Sequence, residues 1–191
     1  MSTNNRKQLR ELTYLAIFTA IVFVLQLVSF LTRGPMFSLT FVLVPIVIAV
    51  AICGFKAGPW LGFVFGVAVL VTGDANAFLA FSPVATVFLV LLKGTLAGLC
   101  AAFVYKLLEK YNTYLAVVLA ALTAPIVNTG VFFVGCLVFF RGLIESWIPE
   151  SQSVVLYVIT GLIGINFLIE IAVNVILVPT VYRIIEIYKK R

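Results

Sequence analysis

The stretch SPVATVFLVLLKGTLAGLCAAFVYKLL, Ser82 to Leu108, places a lysine, Lys93, in the middle of an apolar run and small residues at Gly94, Gly98 and Ala102. A helix rises 1.5 Å per residue and the hydrocarbon core of a bilayer is ~30 Å thick, so this run is long enough to cross one. An ionisable group at a helix centre costs on the order of 2.5–3.5 kcal/mol unless it faces a cavity or a partner. The stretch therefore predicts a membrane-spanning helix with one face turned to a polar interior.

The remainder of the 191 residues agrees: 63% are hydrophobic and 10% charged, against roughly 45–50% apolar in a soluble domain. Apolar runs between breakers predict helices near 12–32, 38–53, 58–73, 82–108, 114–140 and 154–182. The expected fold is an all-α integral membrane protein, a single compact bundle of six transmembrane helices spanning residues 1–191. The second and third runs are short and are compatible with tilted crossings or a re-entrant hairpin. Either way the number of crossings is even, which puts both termini on one side.

With cytoplasmic termini, the inner side receives Arg6, Lys7, Arg10, Lys56, Lys106, Lys110, Arg183, Lys189, Lys190 and Arg191, and the outer side only Arg33 and Arg141. This asymmetry predicts an N-in/C-in protein of the cell membrane. It also explains the net charge of +6 without nucleic acid. The basic N-terminus is read as the start of a retained first helix, because the apolar run behind it lacks a small-residue cleavage site.

Enzymatic chemistry has little material here. Cys53, Cys100 and Cys136 are dispersed and there is no histidine, which disfavours a disulfide framework or a metal site. The phosphate cradle GxxxxGK[ST] is missing, and Lys93-Gly94-Thr95 reverses its order. No cofactor is expected.

Polar residues at membrane depth carry the functional reading. Asn166, Glu170 and Asn174 recur every fourth residue and share one helix face. Entering from outside near Val154, Asn166 lies about 18 Å deep and Glu170 about 24 Å; Lys93, entering from Ser82, lies about 16 Å deep. Asn128 sits mid-segment, one turn after Pro125, whose missing N–H frees a carbonyl. Three helices thus bring donors and acceptors to one level, with Asn174 nearest the inner boundary. A plainer alternative is a Lys93–Glu170 ion pair with the asparagines tying helices together.

Small residues recur at helical spacing in Gly58, Gly62 and Gly66 and in Gly94, Gly98 and Ala102, where they permit close helix packing. The outer loops, Thr32 to Ser38 and Thr72 to Ser82, combine glycine or proline with Phe37, Phe78 and Phe81. These aromatics either close a pocket or, with Trp147, anchor the interface.

Taken together, these features resemble the substrate-binding S components of energy-coupling factor (ECF) vitamin transporters over roughly residues 10 to 188. The resemblance rests on a basic N-terminus before Ala16-x-x-x-Ala20, and on Phe41-Val42-Leu43-Val44-Pro45-Ile46-Val47-Ile48 leading to Gly58-Pro59-x-x-Gly62-x-x-x-Gly66. Lys93-Gly94-x-x-x-Gly98 and Asn128-Thr129 complete it. It implies a six-helix subunit that captures a vitamin from outside, docks through Ala16 and Ala20 on a transmembrane scaffold subunit, and relies on two partner ATPase subunits. Carried onto matching positions, it implies substrate contacts at Phe37, Asp74, Asn76, Lys93, Asn128 and Asn166, with Glu170 supporting them from behind.

Around Pro45 and Gly58 to Gly66 the chain is most similar to the branch containing pantothenate, riboflavin and folate carriers, with pantothenate as the first expectation for the substrate. Two other classes compete. One is a stand-alone secondary transporter with Glu170 as the proton-coupling carboxylate, and the other is a ligand-free membrane assembly subunit.

Overall fold

A computed structural model describes residues 3–32, 42–149 and 152–190, with side chains from Gln8 onward. Its described residues are predominantly helical and contain no strand. The long helices are α1 (Thr3–Leu31), α5 (Pro83–Leu108), α6 (Thr113–Phe139) and α9 (Ile165–Lys189). The last of these continues without a break from α8 (Val154–Tyr157) through a π-helical segment, Val158–Gly164. Four stretches, Gln8–Leu31, Pro83–Leu108, Thr113–Phe139 and Val154–Lys189, are long and apolar enough to cross a membrane. Two shorter apolar helices, α2 (Leu43–Cys53) and α3 (Ala57–Thr72), complete the main framework.

The first and last helices run beyond the expected 12–32 and 154–182 because their polar ends keep a helical path past the apolar run. The expected loop between the third and fourth long segments contains a helix of its own, α4 (Asn76–Phe81), and α7 (Arg141–Glu145) follows α6. Tyr14 packs edge-on against Tyr188 at 5.9 Å, and the Arg10 guanidinium lies 5.6 Å and 5.5 Å from these two rings. The start of α1 therefore sits beside the end of α9.

Helix α2 is central. Leu43, Pro45, Ile46, Val47, Ala49 and Val50 are buried, and its neighbours are α1, α3, α5, α6 and α9. A helix that is apolar all round belongs inside a bundle. Gly54, at φ +90°, ends it and turns the chain into α3; that backbone angle is one a side chain resists.

The closest packing is between α3 and α5, which run antiparallel. A Cβ added to Gly62 would strike the Gly94 carbonyl oxygen, and one added to Gly94 would strike that of Gly62. Gly58 and Gly98 stand in the same reciprocal relation. The glycine series thus seal two helices of the same chain by direct backbone contact. At the ends of the long helices, Pro83 opens α5 at a position that tolerates its missing N–H. The Asn112 side chain accepts from Leu115 N at 3.1 Å to cap α6.

The outward faces are apolar: Val84 is 83% exposed and Ile176 73%, which in a membrane is a lipid-facing surface. Gln26, Ser29, Thr86, Asn128, Glu170 and Asn174 are buried instead. Apolar residues outside and polar residues within is the inverse of a soluble bundle.

Gly62→Ala is expected to destabilise the protein by about 1–3 kcal/mol, since backbone cannot move aside as a side chain can. Gly130→Ala, where an added Cβ meets nothing within 4 Å, is expected to be neutral or to gain up to ~1 kcal/mol of helix propensity. Thermal unfolding in detergent, with both variants side by side, checks the contrast.

Candidate functional site

Between the helices lies a cavity of about 180 Å³. Its wall takes Gln26 and Ser29 from α1, Phe65 and Val69 from α3, Thr86, Leu89, Val90 and Lys93 from α5, and Asn128 and Phe132 from α6. Leu162 and Asn166 come from the last helical stretch, and Asp74, Ala75, Phe78 and Phe140 from the short connecting elements. A second cavity of about 100 Å³ adjoins it, sharing Lys93, Asn128, Phe132, Leu162 and Asn166 and adding Thr129, Ile163, Phe167 and Glu170.

Local sequence places each polar group. Lys93 directly precedes Gly94, so the α3–α5 backbone contact holds its helix against α3 while the long side chain reaches the cavity. Asp74 follows Gly73, which ends α3 in the left-handed conformation at φ +82°. Gly73 N donates to Leu70 O and Asp74 N to Val69 O at 3.2 Å, a glycine-dependent helix stop that sets Asp74 at the cavity wall.

Asn166 stands two residues after the π-helical segment. An added Cβ at Gly164 would lie 2.9 Å from Ile159 O, so the close turn requires glycine there. Single π turns recur at functional sites. Asn166 Nδ2 donates to Leu162 O at 3.4 Å, and both residues line the two cavities.

Aromatic rings surround the basic group. Lys93 Nζ lies 5.0 Å from the Phe132 ring centroid, a distance at which the ring face attracts a cation. Phe132 packs edge-on against Phe78 at 5.6 Å, and Phe78 against Phe140 at 5.0 Å and Trp147 at 5.9 Å. Phe78 therefore belongs to the cavity wall, as the pocket-closing alternative for the loop aromatics expects. Ion pairs among the described residues join Lys106 to Glu109, Arg141 to Glu145 and Lys190 to Glu186, and none joins Lys93 to Glu170. The ion-pair alternative is thereby corrected: each of the two groups is turned to a cavity.

Of the positions expected to contact substrate, Asp74, Lys93, Asn128 and Asn166 meet around one cavity, and Glu170 lines the adjoining one. Asn76 does not join them; it is exposed at the start of α4. Phe37 lies outside the described residues. Ala16 and Ala20 are exposed on α1, beside the likewise exposed Ile17 and Ile21. Asn174 lines neither cavity, and its Nδ2 donates to Glu170 O at 2.7 Å.

Gln26, Ser29, Thr86, Phe78 and Phe132 were not among the expected contacts. Gln26 and Ser29 stand three apart within the first apolar run, so the cost of polar groups at membrane depth, applied to that run, points to them. Phe132 is one turn after Asn128 and shares its face. Among the described residues no group of three or more His, Cys, Asp or Glu side chains is placed to hold a metal ion. The arrangement offers a basic group, amides and aromatic faces to a small molecule.

Comparison with known proteins places the chain in a family. A family model described as the ECF transporter, substrate-specific component, matches residues 10–182. A solved structure of ThiT from Listeria monocytogenes superposes with a TM-score of 0.69, covering 94% of this chain and 98% of that one. At 18% identity it shows a shared fold. No curated protein matches the chain. The chain belongs to the family of ECF transporter substrate-specific components, and is a substrate-binding membrane subunit of a transporter rather than an enzyme.

Proposed function

We propose that this subunit captures a small vitamin or related micronutrient bearing an anionic group, from outside the cell, in the cavity walled by Lys93, Asn128 and Asn166. The observation that carries the reading is the convergence of these side chains from three different helices on one cavity between the apolar helices. Lys93 supplies the basic group for a carboxylate or phosphate, the amides supply hydrogen bonds, and Phe78 and Phe132 supply apolar contact.

Pantothenate, which has one carboxylate, is the first candidate.

Six crossings with both termini inside account for the distribution of basic residues, the short α2 and α3 counting as crossings. The cavity then lies toward the outer half. Transport requires a scaffold subunit and two ATPase subunits, as family membership implies, and the ATP is used by those partners. The exposed Ala16 and Ala20 mark the face of α1 on which the scaffold docks, because small side chains let helices approach closely.

Co-purification with and without the other ECF subunits, followed by mass spectrometry of bound small molecules, tests the assignment. Enlarging Ala16 or Ala20 to Leu is expected to weaken the complex without unfolding the subunit. Undiminished uptake in cells lacking the ATPases would instead favour a stand-alone proton-coupled carrier using Glu170.

For the site, Lys93→Met is expected to weaken binding about 10- to 150-fold, the equivalent of ~1.5–3 kcal/mol for a hydrogen bond to a charged group. Asn166→Leu is expected to cost about fivefold or more, and Asn174→Leu less than either. Equal, negligible effects in a calorimetric titration would reject this placement of the ligand.

A further inference from the structure

Beside the main cavity, the smaller chamber of about 100 Å³ presents two acceptor oxygens that the protein leaves unserved. Asn128 Oδ1 and Glu170 Oε1 are buried and have no hydrogen-bond partner, and both residues line this chamber. The two residues are 8% and 7% exposed, and they come from different helices, α6 and α9. Buried polar atoms without partners are rare enough in folded proteins that each calls for an explanation. Of the neighbouring donors, Lys93 Nζ is over the Phe132 ring and Asn174 Nδ2 donates to Glu170 O.

We infer that this chamber is a subsite for hydrogen-bond donors, in which Asn128 Oδ1 and Glu170 Oε1 receive O–H or N–H groups of a ligand whose anionic group lies at Lys93. The inference rests on the proposed ligand site and narrows its occupant. An anionic group brings only acceptors and would leave Asn128 Oδ1 and Glu170 Oε1 still without donors, so the negative end is placed at Lys93. The ligand class is therefore bifunctional, with an anionic group at one end and hydroxyl, amide or ureido donors at the other. The shared lining residues place the two ends in continuous space. Phe132 and Phe167 flank the donor end with apolar surface.

The test is calorimetric titration of the subunit in lipid nanodiscs with pantothenate and biotin, both carboxylates carrying donors, with their O- or N-methylated counterparts, and with nicotinate and thiamine. At least one of pantothenate and biotin is expected to bind, and methylation of its donors to weaken binding about tenfold or more. Glu170→Leu is expected to weaken the parent compound similarly while leaving the methylated compound unchanged, because both changes remove the same contact. Glu170→Gln retains an acceptor and is expected to recover part of the affinity. Methylation is read on the unaltered protein, so the test stands even if Glu170→Leu does not fold.

Affinity that depends on Lys93 but is indifferent to methylation and to Glu170 overturns the donor subsite alone; the chamber would then be filled by water. Binding of thiamine in place of the carboxylates overturns the bifunctional class. If none of the compounds binds, the proposed anionic-vitamin site and the subsite fail together.

Discussion

Gly58, Gly62, Gly94 and Gly98 bring the backbones of α3 and α5 into direct contact, and the positions of the other helices depend on that closeness. A methyl group at Gly62 or Gly94 would meet a carbonyl oxygen of the facing helix, which has no rotamer to escape into. Lipid tails are as apolar as leucine, so helix association in a membrane draws on van der Waals contact more than on a hydrophobic driving force. A glycine seam maximises that contact where side chains would hold the helices apart. Because α5 is fixed against α3, Lys93 is held one residue from the seam and has a defined level in the protein.

The remaining helices are arranged so that polar cost is concentrated in one place. Gln26, Thr86, Asn128 and Glu170 are buried, each on a different helix, and all line one or other of two adjoining cavities. A pair of orphaned acceptors costs about 1–3 kcal/mol each when left without a donor. A bundle whose outward faces are apolar gains nothing from such residues as glue unless they bond one another, and Asn128 Oδ1 and Glu170 Oε1 do not. Their presence is what the proposed binding site would require. Asn174 is the contrasting case: it hydrogen-bonds within its own helix and faces neither cavity.

Much of this was legible in the chain. Length and hydropathy identified the long helices, and the price of a lysine or asparagine in hydrocarbon singled out Lys93, Asn128 and Asn166. Depth counting from helix ends brought these three to one level because rise per residue is a local property. The same rule passes over Gln26 and Ser29 only if the first apolar run is treated as uniformly lipid-facing. Phe132 shares the face of Asn128 one turn on, but its residue type gives no further signal, since an aromatic ring costs nothing at membrane depth on either face. The π-helical turn at Val158–Gly164 was hidden for a related reason: Thr160, Gly161 and Gly164 are compatible with an ordinary helix.

By itself, the sequence determined that this is a helical membrane protein, which residues are too polar to face lipid, and which surfaces are smooth enough for close packing. These follow from transfer energies and helical periodicity, both set residue by residue. Only the tertiary structure decided that the glycine series face each other, that Asp74 reaches the cavity while Asn76 does not, and that Lys93 stacks on Phe132 instead of pairing with Glu170. Each of those outcomes depends on the rotation of one helix relative to another, and no local preference in the chain specifies that angle.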